Sequence, residues 1–212
     1  MTHMKLLSAA CAAGALALVA GCAGTPAGMT TYAAQLQPMN TQVAGGATTG
    51  QATFVEHDGQ LVMDVQVKGA PANIEHWQHF HGFKDGKNAT CPAATSDTNH
   101  DGIVDLIETG PAAGTTMVPF IQHPATMDIP HGSYPVADAS GAYHYRVTVP
   151  VAELQAAFAK QFPGQKLDLD KRVVFIHGVP AATRLPSSVQ SLGPIPAQVT
   201  LPIACGVIRK AS

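Results

Sequence analysis

Residues Asp97 to Glu108 read Asp-Thr-Asn-His-Asp-Gly-Ile-Val-Asp-Leu-Ile-Glu, and their oxygen donors are spaced as a hard cation requires. Asp97, Asn99 and Asp101 take positions 1, 3 and 5 of a calcium loop, and Gly102 takes position 6, where the chain must turn sharply. Ile103 offers its backbone carbonyl at position 7. Asp105 acts at position 9, directly or through water, and Glu108 closes the shell at position 12 with two oxygens. The other reading is an Asp/Asn/Gly-rich surface turn without an ion, in which the carboxylates would repel one another.

A second set of candidates is nitrogen-based. His79-Phe80-His81 puts two imidazoles on one face of a strand, because strand side chains alternate, and this presents two ligands to copper or zinc. Phe80 then points into the core. His177 follows an apolar run and precedes Gly178, a strand end suited to a third ligand. His76, His123 and His131 are further candidates; a regular strand would put His76 on the face opposite His79. A lone histidine is more often structural, whereas a His-x-His pair with a third at a strand end points to a metal. No catalytic residue is identified. There is no Gly-x-Ser-x-Gly elbow and no phosphate-cradling glycine loop, and Ser187-Ser188 lies in a Pro-rich loop with no evident base.

The elements that must position these residues read as mainly β. Gln51–Glu56 and Leu61–Val67 alternate around His57-Asp58-Gly59, a hairpin turn. Glu75–Phe83 reads as a third strand carrying three histidines. Residues 84–135 form a long irregular stretch that holds the calcium loop. Tyr134–Val149 reads as a hairpin turning at Asp138–Gly141, Val151–Phe162 as the one helix, and Arg172–Ile176 and Gln198–Ile208 as the closing strands. Such short strands joined by turns predict a Greek-key barrel or sandwich with one short helix. The calcium loop lacks the flanking helices of an EF-hand pair, so it reads as a lone EF-hand-type loop set into a β domain.

Only 12% of the chain is charged and the formal net charge is −2, with no basic stripe, which excludes nucleic acid as a partner. Residues 1–21 read as a signal peptide: Lys5, then an apolar run too short to span a bilayer, then Val19-Ala20-Gly21-Cys22. The last four resemble a bacterial lipobox, which makes Cys22 a lipidation site and the membrane a partner through that anchor. The expected location is the envelope, with the outer membrane favoured by Ala23. An ordinary secretory signal with a chance cysteine is the alternative. Residues 22–50 read as a flexible tether and 51–212 as the domain. Outside the cytoplasm, Cys91 and Cys205 are free to pair. Their bridge would close a loop of roughly 114 residues, which constrains the unfolded chain by about 4–5 kcal/mol in the chain-entropy model. Two buried free thiols are the alternative, and a homodimer remains an open partner state.

The sequence also resembles the copper/zinc superoxide dismutase family. Glu75-His-Trp-Gln-His79-Phe-His81-Gly-Phe resembles its copper strand, Val173-Val-Phe-Ile-His177 the strand of its last copper histidine, and Ala204-Cys205-Gly-Val-Ile208 its C-terminal Ala-Cys-Gly-Val-Ile. The resemblance covers most of residues 51–208. It implies copper ligation by His79, His81 and His177 and a Cys91–Cys205 disulfide. Three departures matter. Asp97 stands where the family has its bridging histidine, no zinc cluster is recognisable around His123, Asp128 and His131, and Pro202 stands where the family has its active-site arginine. That arginine guides an anion by its charge, which proline cannot do. The His-x-His-Gly strand equally resembles chordin-type (CHRD) domains, for which no dismutase reaction is implied. Three functions fit: an envelope lipoprotein with a structural calcium loop and a copper/zinc site, a copper-dependent superoxide dismutase, and a calcium-stabilised adhesive module without a transition metal.

Overall fold

Alternating apolar residues separated by turn-formers fold most of the chain into one antiparallel sheet. A computed structural model describes residues 28–211. Its strands are β1 (Thr30–Pro38), β2 (Thr49–His57), β3 (Gln60–Lys68), β4 (Gln78–Gly82), β5 (Thr115–Pro119), β6 (Tyr143–Pro150), β7 (Val173–His177), β8 (Pro202–Val207) and β9 (Arg209–Lys210). Their order in space is β5-β4-β7-β8-β1-β2-β3-β6, with β9 beside β1. The sheet curls into a half-barrel, so the mainly β, barrel-type class expected from sequence is the class found.

The β2–β3 hairpin turns through Asp58 and Gly59, both at positive φ, as a tight two-residue turn requires. Its inward residues, among them Phe54, Leu61, Met63, Val65 and Val67, are buried. Phe54, Phe80 and Phe120 pack as a trio, with ring centroids 4.7–5.8 Å apart. The helix at Val151–Gln161 contributes Leu154 and Phe158 to the same core. β4 and β7 are buried on both faces. Phe80, Val174 and Ile176 face the barrel core, while Val173, Phe175 and Cys205 pack with Ala89 and Ala113 in a second cluster across the sheet. Cys91 and Cys205 form a disulfide that ties the start of the long loop to β8.

Several boundaries differ from expectation. The tether expected through residue 50 instead contains β1, which pairs with β2, β8 and β9 and buries Ala34 and Leu36. Its Ala- and Thr-rich composition concealed a central strand. The third strand is Gln78–Gly82 rather than Glu75–Phe83, so His76 lies before it. The first arm of the expected 134–149 hairpin makes only one isolated bridge, Glu75 with Val136. The irregular stretch contains β5, and Ala197–Thr200 is a helical turn rather than the start of the last strand. Two further four-residue helices, Thr41–Ala44 and Gly110–Ala113, join the one expected. The expected signal peptide, residues 1–21, and the expected lipidation site Cys22 lie outside the described residues. Among the described residues, no helix is long and apolar enough to cross a membrane.

Candidate metal centre

Strand alternation puts His79 and His81 on the face of β4 opposite Phe80. β7 runs antiparallel beside it, with His79 opposite Phe175 and His81 opposite Val173. Two irregularities adjust this frame. The β4–β5 register shifts between His79 and His81, and the β7–β8 register shifts between Ile176 and His177. Bulges of this kind re-aim side chains, and here they flank the histidines. The result is a triad of rings: His79–His81 centroids are 6.0 Å apart, His79–His177 5.2 Å and His81–His177 5.7 Å. One nitrogen from each lies within 4.8 Å of the others, a group that could hold a metal ion.

Hydrogen bonds assign which nitrogens face inward. His177 Nδ1–H donates to the Thr200 carbonyl at 2.7 Å. The Tyr134 hydroxyl donates to the Ile129 carbonyl at 2.9 Å, which leaves its oxygen to accept from His79 Nε2–H at 3.1 Å. His81 Nε2 pairs with Thr116 Oγ1 at 3.2 Å. The nitrogens left over, His79 Nδ1, His81 Nδ1 and His177 Nε2, are buried and have no partner. Buried polar atoms are nearly always paired, and outer partners of this type are what orient metal-binding imidazoles. Burial holds His79 and His81 well below the ordinary histidine pKa, and the neighbouring rings add to this. Burial also lowers His177 to about 4, outweighing the Thr200 carbonyl. All three rings are therefore neutral near pH 7, the form that binds metal.

The cover over this site comes from loops. A cavity of about 230 Å³ opens onto His79 and His177, walled by Trp77, Leu106, Leu192 and Ile195. Trp77 stacks on Tyr134, with centroids 5.3 Å apart. Leu106 belongs to the 97–108 loop, so the two candidate sites are neighbours.

That loop is tightly wound. His100 and Gly102 are both at positive φ. Asp97 accepts from the Asp101 and Gly102 amides, Asn99 from the Asp101 amide, and Asp101 from the Ile103 amide. Glu108 Oε1 accepts from the Thr98 amide at 2.7 Å, and its Oε2 from the Asp105 amide at 3.1 Å. Asp105 and Glu108 are buried. Asp105 also accepts from the Gln190 amide and Asp101 from the Ser188 hydroxyl, both at 2.6 Å. Asn40 bonds the Val104 amide and carbonyl and the Pro202 carbonyl, fixing the loop to β8. Among the described residues, the three histidines are the set of His, Cys, Asp or Glu whose ligand atoms gather within 4.8 Å; the loop carboxylates do not.

The remaining candidates lie elsewhere. His76 is buried, but its ring nitrogens sit 2.9 and 2.8 Å from the His177 and Pro71 carbonyls, so it braces the strand end rather than facing the triad. His123 is exposed, and His131 is exposed against Asp128. Pro202 lies opposite His177 in the sheet. Tyr134, Thr116 and the Thr200 carbonyl carry no spacing signal, and sequence reasoning missed them. No family model and no curated protein matches the chain, so the dismutase and chordin-type resemblances rest on the quoted motifs alone.

Proposed function

We propose that this protein is a metal-binding lipoprotein of the cell envelope, with copper or zinc held by His79, His81 and His177 and calcium held by residues 97–108. The observation that carries the reading is the set of three buried, unpartnered imidazole nitrogens facing one another. Imidazole suits both copper and zinc, and at an all-nitrogen site copper is the tighter binder. Three protein ligands leave a position for water or a small ligand, unlike a closed structural site. Bound there, the ion would supply Lewis acidity and, if copper, one-electron chemistry.

Support for calcium is the match of residue types at loop positions 1, 3, 5, 6, 7, 9 and 12, together with two buried acids, Asp105 and Glu108. The ion would order the loop that carries Leu106. The dismutase reading is weaker, because no lysine or arginine lines the cavity beside the histidines.

Metal analysis of the purified protein tests both sites. The expected result is about one copper or zinc per chain, lost in His81→Ala. Equal uptake by that variant would sink the histidine assignment. Calcium in the millimolar range should raise the melting temperature of chelated protein; an unchanged value would remove the calcium claim. A superoxide assay on copper-loaded protein separates metal handling from dismutation.

A further inference from the structure

The cavity over the triad differs in chemistry from its floor. Its floor is His79 and His177, and its walls are mostly apolar: Trp77, Leu106, Ile129, Leu192 and Ile195. The hydroxyl-bearing residues at its edge are largely committed. Thr116 Oγ1 pairs with His81, and Thr200 Oγ1 is bonded to Ser191 at 2.8 Å. No lysine, arginine, aspartate or glutamate is in the lining. The volume is about 230 Å³. A dry apolar cavity of about 150 Å³ accepts benzene, and drug-sized pockets begin near 300 Å³. The space therefore suits one or two small rings.

We infer that this cavity is a binding site for a small, neutral, largely apolar molecule bearing one lone-pair donor. Its donor atom would coordinate the metal at the histidine triad, and its ring would lie against Trp77 and Leu192. The inference rests on the metal reading above and extends it by naming the ligand class. Apolar area removed from water would provide most of the selectivity, and the metal would provide the orientation.

Benzimidazole and imidazole make a suitable pair of probes, because they share the donor nitrogen and differ by one fused apolar ring. Trp77 is the only tryptophan in the chain and its ring centroid lies 6.1 Å from that of His79, so its emission, partly quenched by copper, responds to cavity occupancy from a second position. Copper-loaded protein is titrated with each probe, following copper absorption and Trp77 emission together. The expected result is at least tenfold tighter binding of benzimidazole, with both signals changing at the same concentration. Leu192→Asp, at a half-exposed wall position, should keep its copper but lose that advantage. Equal affinity for the two probes, or an undiminished advantage in Leu192→Asp, overturns the cavity assignment while leaving the metal site standing. A sample that takes up no copper overturns both readings, and metal analysis identifies that case before any probe is added.

Discussion

The Tyr134 hydroxyl lies 3.1 Å from His79 Nε2 while donating its own proton to the Ile129 carbonyl. This fixes the His79 tautomer and leaves Nδ1 aimed at the other two histidines. Tyr134→Phe keeps the ring stacked on Trp77 and removes only the hydroxyl. Copper or zinc affinity, measured against a competing chelator, should fall about 10- to 100-fold, as for other outer-shell partners. Unchanged affinity would mean that the hydroxyl does not orient the ligand.

The triad makes the metal-free protein acid-sensitive. His177 has a folded pKa of about 4, against an unfolded value near 6.5, and His79 and His81 are shifted in the same direction. Between those values the unfolded chain binds more protons than the native one, so stability rises with pH. The contribution is complete above pH ~6.5 and is lost as pH falls toward ~4; for His177 alone it is about 3 kcal/mol. Chemical denaturation of metal-free protein across this range checks the slope. His177→Gln should flatten it, and an equal slope in that variant would contradict the assignment.

Asn40 fixes the 97–108 loop to β8 with three hydrogen bonds from a residue at φ 49°. Asn40→Ala removes the bonds and adds backbone strain, and should cost about 2–4 kcal/mol in denaturant unfolding. Asn40→Gly removes the same bonds but tolerates the left-handed backbone, so it should recover part of the loss. Equal stability of the two variants would show that strain plays no role.

Phe80 lies between the two β4 histidines and fills the barrel between Phe54 and Phe120. Phe80→Ala should cost about 3–5 kcal/mol and loosen the triad from behind. Phe80→Leu should cost less and retain metal. Metal affinity that followed neither change would show the histidines to be held by their loops alone.

What was legible from sequence follows the physics of each signal. Alternation exposed β2, β3 and the shared face of His79 and His81, because one side of each strand must be apolar. Donor spacing made residues 97–108 read as a calcium loop; the fold has a tightly wound turn there, and among the described residues its carboxylates do not gather as the histidines do. β1 was not, because Ala33, Ala34, Thr30 and Thr31 carry little hydrophobic contrast and its burial comes from its neighbours on both sides. His76 was set apart by alternation, on the face opposite His79, but its role as a brace was hidden because the strand begins after it. The partners of the triad, Tyr134, Thr116 and Thr200, come from three separate segments, and only the folded chain brings them together.

The Cys91–Cys205 bridge also changes how the ligands find one another. Along the open chain His81 and His177 are separated by about 96 residues; through the bridge, counting His81 to Cys91 and Cys205 back to His177, the path is about 38, which lowers the entropy of closing that ring by about 0.8 kcal/mol. Oxidation before metal arrival thus brings distant donors into a shorter search. Refolding under reductant should recapture metal more slowly than refolding of the oxidised chain, which links ion acquisition to the redox history of the newly made protein.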